Sequence, residues 1–245
     1  MPFGPSRRGL VQAIGTAGLV GVFAPAVITR RAVAQQQGGV TGSLQKREAA
    51  SDDVEVTPPE DLMREHGVLD RVLLIYEAVM RKLSANGDFN PEVLTGSAEV
   101  VRDFIQNYHE KLEENYVFPR FRAAGQLTDL VNTLQTQHEA GRVVTASILQ
   151  IAGQGNWDDD DRHRLTGAME TFIIMYRPHA AREDTDLFPK LKNVVSPNEY
   201  DSLAEEFERQ ERQLFGDDGF ERMVVHVAGL EEAIGIHDLN QFTPR

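Results

Sequence analysis

The sequence predicts an all-α protein: an antiparallel, up-down-up-down four-helix bundle with two extra helices at the C-terminal end. Three observations lead there. Apolar residues recur at alternating spacings of three and four along four long segments, the period of one buried helix face. No strand-like alternation of any length competes with that pattern. The segments are joined by short connections, which favours antiparallel neighbours.

Residues 1–34 stand apart from the fold. Ser6-Arg7-Arg8-Gly9-Leu10-Val11 precedes a mildly apolar run from Ala13 to Ile28, followed by Ala32-Val33-Ala34. A twin arginine, a Gly- and Ala-rich apolar core and an A-x-A site together resemble a twin-arginine export signal. That resemblance implies a periplasmic or otherwise exported protein, carried across already folded. The apolar run is short and broken by Pro25, so no stable membrane span is expected after signal removal. Residues 35–56, rich in Gln, Gly, Ser and charge, read as a flexible linker.

The bundle is expected over 57–192. Thr57-Pro58-Pro59-Glu60 is a capping box with proline at the first helical position. Leu62, His66, Leu69, Leu73, Tyr76, Met80 and Leu83 then form one inward seam, stopped by Asn86-Gly87. A second helix is expected from about Ser97 to Tyr116, with Val101, Ile105, Tyr108 and Leu112 as its stripe and His109 and Glu113 continuing it. A third runs from about Leu127 to Ile151, placing His138 on a seam with Leu134 and Ile148. Asp158 to Asp161 opens the fourth, where acids suit the positive end of the helix dipole. Its seam is Leu165, Met169, Phe172, Tyr176, His179 and Glu183. Residues 193–245 read as a helical extension: Ser196-Pro197-Asn198-Glu199 is a second capping box, and a last helix spans about Phe220 to Ala233.

Within this frame a fourteen-residue stretch occurs twice, seventy positions apart: H-E-K-L-E-E-N-Y-V-F-P-R-F-R from His109 and H-A-A-R-E-D-T-D-L-F-P-K-L-K from His179. His109/His179, Glu113/Glu183, Phe118/Phe188 and Pro119/Pro189 are identical in register, the mark of an internal duplication. In a helix, residues four apart share a face, so each copy presents an imidazole beside a carboxylate. Proline is expected to end each helix, with Val117-Phe118 and Leu187-Phe188 folding over the end as an apolar plug.

Four inward seams each carry a histidine, and two add a glutamate. Burying six titratable groups together without compensation costs several kcal/mol for each charge. A bound cation pair removes that cost, so His66, His109, Glu113, His138, His179 and Glu183 are the expected metal ligands. The chain has no cysteine, which excludes thiolate zinc sites, iron–sulfur clusters and disulfides. Imidazole plus carboxylate suits iron, with manganese as second choice. Two octahedral ions offer about twelve positions, of which the protein fills about eight. The remainder leaves room for a bridging oxygen and a small exogenous ligand. The net charge of -13 argues against nucleic-acid binding; removal of 1–34 takes four arginines and no acid, leaving 21 basic and 38 acidic residues, or -17.

The order H…HxxxE…H…HxxxE over about 58–192 resembles the hemerythrin-like, HHE cation-binding proteins. The tail with Phe220, Leu230-Glu231, Gly235-Ile236, Asp238-Leu239 and Phe242-Thr243-Pro244 is similar to an extension of some bacterial members. The resemblance implies two non-haem irons, one held by His66 and His109, the other by His138 and His179, with Glu113 and Glu183 bridging. It also implies a small-molecule ligand: dioxygen, peroxide or nitric oxide. Oxygen carriers of the family have a further histidine where this chain has Arg142, so it matches the four-histidine members. They also use an aspartate five after the last histidine, here Asp184; helical phase and the repeat favour Glu183 instead. The functional expectation is an exported iron- and oxidant-binding protein, with a di-iron enzyme (ferroxidase, oxidase or peroxide-consuming) as the alternative.

Overall fold

The computed structural model describes residues 56–244, and every regular element among them is helical. The signal and linker expected over 1–56 lie almost wholly outside the described residues. No described helix is long and apolar enough to cross a membrane.

Helix α1 (Pro58–Ser84) begins as expected: the Thr57 side chain accepts from the Glu60 amide, and the Glu60 carboxylate accepts from the Thr57 amide. Leu62, His66, Leu69, Leu73 and Tyr76 are all buried on its inner face. Helix α2 departs from expectation at both ends. It starts at Pro91, capped by Asn90 Oδ1 accepting from the Glu92 amide at 3.0 Å, rather than near Ser97. It then runs through Pro119 to Ala124, although proline was expected to stop it.

The reason is the hydrogen-bond pattern. Over Val101–His109 and again over Glu113–Val117 the helix widens to π turns, in which the Glu110 amide donates to Ile105 and the Phe118 amide to Glu113. A wide turn relieves the clash between the proline ring and the carbonyl one α-turn earlier. The rod therefore continues, ending at Gly125, whose φ of +63° suits glycine.

Helix α3 (Thr128–Ala152) and the start of α4 (Asp159–Arg182) match expectation, with Asp158 accepting from the Asp161 amide at 2.8 Å. Beyond Arg182 the second motif copy repeats the first: a π turn over Glu183–Leu187, then a tight 3-10 segment over Phe188–Asn193. Here too the chain passes its proline before leaving helical geometry. Helices α1 and α2, α2 and α3, α3 and α4, and α1 and α4 pack against one another around one core.

Two further helices, α5 (Pro197–Phe215) and α6 (Gly219–Ile234), lie on α1 and α2. Ser196 caps α5, but its expected box is half made, because Glu199 accepts from Arg120 at 2.9 Å. Phe215 packs on Phe104 and Tyr108, while Leu230 approaches Gly96, where a side chain would crowd it at 3.1 Å. The Arg71 guanidinium donates twice to buried Glu231, at 2.9 and 2.6 Å, fixing α6 on α1. Replacing Arg71 by alanine leaves that carboxylate with His237 alone, at 3.2 Å; the expected loss in urea unfolding is about 1–2 kcal/mol.

Candidate metal centre

All six predicted side chains meet in the core. His66, His109, His138 and His179 are each no more than 3% exposed, and Glu113 and Glu183 are fully buried. The imidazoles pair within each half, with ring centroids 4.7 Å apart for His66 and His109 and 4.9 Å for His138 and His179. Nε2 of His138 faces Nε2 of His179 at 3.1 Å. Two nitrogens on neighbouring positions of a cation, with bonds of about 2.1 Å, would stand about 3 Å apart.

The carboxylates link the halves. Glu113 Oε2 lies 3.8 Å from His109 Nε2 on its own helix and 3.3 Å from His138 Nε2 across the bundle. Glu183 Oε2 lies 3.2 Å from His179 Nε2 and 3.3 Å from His66 Nε2. None of the four oxygens of Glu113 and Glu183 has a hydrogen-bond partner. Buried carboxylate oxygens without donors are costly and call for a cation. Among the described residues three sets of donors could hold an ion, and Glu113 belongs to two of them, with His66 and His109 and with His138, His179 and Glu183; the third is Glu110, Glu114 and His138, beside the centre.

The outward nitrogens show how the rings are held. His66 Nδ1 donates to Asp184 at 2.7 Å, His109 Nδ1 to Glu65 at 2.9 Å, His138 Nδ1 to Glu114 at 3.1 Å and His179 Nδ1 to Gln137 at 2.9 Å. Each acceptor fixes its ring with Nε2 pointing inward, the orientation a metal ligand needs. Asp184 therefore stands behind His66, and Glu183 alone of that pair faces the centre.

These outer partners were missed in the sequence, yet they keep the repeat's register. Glu114 and Asp184 each follow a motif glutamate, while Glu65 and Gln137 each precede a seam histidine. Arg142, where oxygen carriers have a histidine, turns to Glu110 and Glu114 at 2.6 and 2.5 Å. Phe118 stacks on His138 and Phe188 on His66, at 5.4 and 5.5 Å between centroids, forming the expected apolar plugs. His163, His226 and His237 are exposed and take no part.

Without a cation, protons must satisfy these charges. Against the burial that lowers it, contact with Asp184 and Glu183 raises His66 to about 10. Glu113 and Glu114 likewise overcome burial to raise His138 to about 10. Burial and the Glu183 charge push Glu113 up to about 8, whereas burial and neighbouring His66 push His109 down to about 3. Against burial, His179 and His66 hold Glu183 well below the ordinary carboxylate range.

A buried site of four imidazoles and two shared carboxylates, each ring oriented from behind, defines a metal-binding helical bundle. The chain belongs to a family of that kind: the model of the hemerythrin HHE cation binding domain matches residues 57–191. Uncharacterized proteins of Mycobacterium bovis and Mycobacterium tuberculosis are 47% identical to it over 193 residues, covering 78% of this chain and 76% of theirs. No solved structure matches the chain.

At pH 7, groups raised to about 10 and about 8 hold protons that a cation must displace. Calorimetry of metal loading in buffers of different ionisation enthalpy should show net proton release, with affinity rising as the pH increases above 7. Gly141→Ala is expected to destabilise by about 1–3 kcal/mol, despite alanine's helix propensity. Its Cβ would meet Tyr176 Oη at 2.1 Å. Thermal unfolding of that variant, alone and combined with Tyr176→Phe, checks this; removing the hydroxyl should recover part of the loss.

Proposed function

We propose that this chain is an exported, non-haem di-iron protein that binds a small oxidant (dioxygen, peroxide or nitric oxide) between its paired helices. The observation that carries the reading is the convergence of four oriented imidazoles on two carboxylates that have no other partner. In this reading His66 and His109 would hold one ion and His138 and His179 the other, with Glu113 and Glu183 shared between them. Imidazole and carboxylate donors with positions to spare suit iron, with manganese as second choice. The bound pair would supply reversible electron exchange and open positions for a diatomic ligand.

The chain's own residues set the conditions for that chemistry. Glu65, Glu114, Gln137 and Asp184 hold the ring orientations, so little rearrangement is needed when an ion arrives. Phe118 and Phe188 keep water from the faces of His138 and His66. The architecture we favour for 57–192 is the up-down-up-down bundle, with 193–245 as its helical cover, and the export route is the twin-arginine pathway.

Metal analysis of purified protein should find two irons per chain, with an oxo-bridged charge-transfer band that shifts on adding azide. One zinc per chain would contradict the reading. Glu113→Ala should lower iron content to one ion or none, because the carboxylate serves both positions. Rapid catalytic loss of peroxide or ferrous iron would move the assignment from binding protein to enzyme; a stable, reversible oxygen spectrum would not. Cell fractionation tests export: replacing Arg7 and Arg8 together by lysine should retain the protein in the cytoplasm.

A further inference from the structure

Beside the six converging groups lies a second buried polar feature. Tyr176 donates its hydroxyl proton to Glu110 Oε1 at 2.6 Å, and Arg142 donates to Glu110 Oε2 at 2.6 Å. Both Glu110 and Tyr176 are 1% exposed. The arrangement is costly in three ways. It buries a carboxylate, it draws an arginine inward to balance it, and it places glycine in the interior of α3. Glycine costs about 1 kcal/mol there relative to alanine, and it is required because a Cβ would meet the Tyr176 hydroxyl and ring edge. Leucine at 110 and phenylalanine at 176 would fill the space without buried charge, and such replacements are often neutral or stabilising.

The placement of the pair gives those costs a purpose. The Tyr176 ring lies 5.3 Å from the His179 ring, which faces the centre. A second seam tyrosine, Tyr76, is separated from it by Phe172, at 5.8 Å from Tyr76 and 4.2 Å from Tyr176. The Tyr76 hydroxyl is buried with no hydrogen-bond partner, so it has nowhere to send a proton. Of the two, Tyr176 alone combines contact with a metal-facing imidazole and a hydrogen-bonded carboxylate.

We propose that Tyr176 is a one-electron donor to the metal centre, its phenolic proton shifting to Glu110 as the electron leaves. This rests on the di-iron reading above. A phenol is hard to oxidise while it keeps its proton, because the radical cation is a very strong acid. A carboxylate already accepting its hydrogen bond lowers that barrier, because the proton moves along an existing contact. The co-reactant is hydrogen peroxide, which takes two electrons as its O–O bond breaks to give two hydroxides. A centre holding one ferrous and one ferric ion would supply one of them. Tyr176 would supply the other through His179, becoming a neutral phenoxyl radical as its proton passes to Glu110, with both ions then ferric.

The test uses the purified, iron-loaded chain, given one reducing equivalent per iron pair, mixed with hydrogen peroxide and frozen for electron paramagnetic resonance. Iron content is measured on the same sample. A narrow phenoxyl signal is expected in the wild type and in Tyr76→Phe, and its loss in Tyr176→Phe. Glu110→Gln, which keeps the tyrosine but cannot take the proton, should also lose it. A wild type holding two irons without the radical, or a signal surviving intact in Tyr176→Phe, overturns the inference and leaves the di-iron reading standing. A chain that binds no iron overturns both, and the iron content tells these results apart.

Discussion

The structure depends on one electrostatic constraint: six titratable groups share a volume from which water is excluded. Four imidazoles can be buried cheaply when neutral, but two carboxylates cannot be buried ionised without positive charge beside them. In the metal-free chain the balance is struck by unequal protonation, with Glu113 raised and Glu183 lowered although both occupy the same position in the repeat. The surrounding acceptors Asp184, Glu65, Glu114 and Gln137 turn Nε2 of each ring inward. Protons and clamps thus hold open a set of donors that divalent cations satisfy better.

Helix geometry near the centre follows from the same demand. A regular α-helix would place His109 and Glu113 on one stripe and then meet Pro119 as an obstacle. Instead, wide turns lie before and after this pair, at Val101–His109 and Glu113–Val117, and a matching wide turn follows His179 at Glu183–Leu187. Each glutamate begins a π turn and each phenylalanine ends one, so the plug swings onto a ring of the opposite half. Helical irregularity is concentrated where the donors converge, which is where such turns often occur.

Much of this was legible in the sequence, because periodicity and spacing act within one helix. The four seams, the Thr57 capping box, the acidic start of α4 and the six inward groups could be read from local spacing. The start of α2 at Pro91 was missed because the apolar stripe was followed and the Asn90-Pro91-Glu92 cap was not. Continuation past Pro119 was missed because proline's local preference was weighed without the wide turn that accommodates it. The partners of the outer ring nitrogens, and the meeting of Tyr176 with Glu110 at Gly141, depend on how neighbouring helices are rotated. Spacing along one helix carries no such information.

The contacts of the two motif copies are exchanged rather than parallel. Phe118 and Glu113 reach from the first copy to His138 of the second half, and Phe188 and Glu183 return to His66. Neither helix pair therefore contains a finished binding pocket. An isolated hairpin bearing a single copy would have to associate with a twin about a twofold axis to assemble one, and the present chain joins such twins by a covalent link. Tandem fusion of this kind frees each copy to diverge, and the neutral Gln137 standing where its counterpart Glu65 is acidic shows that the two halves have become chemically unequal.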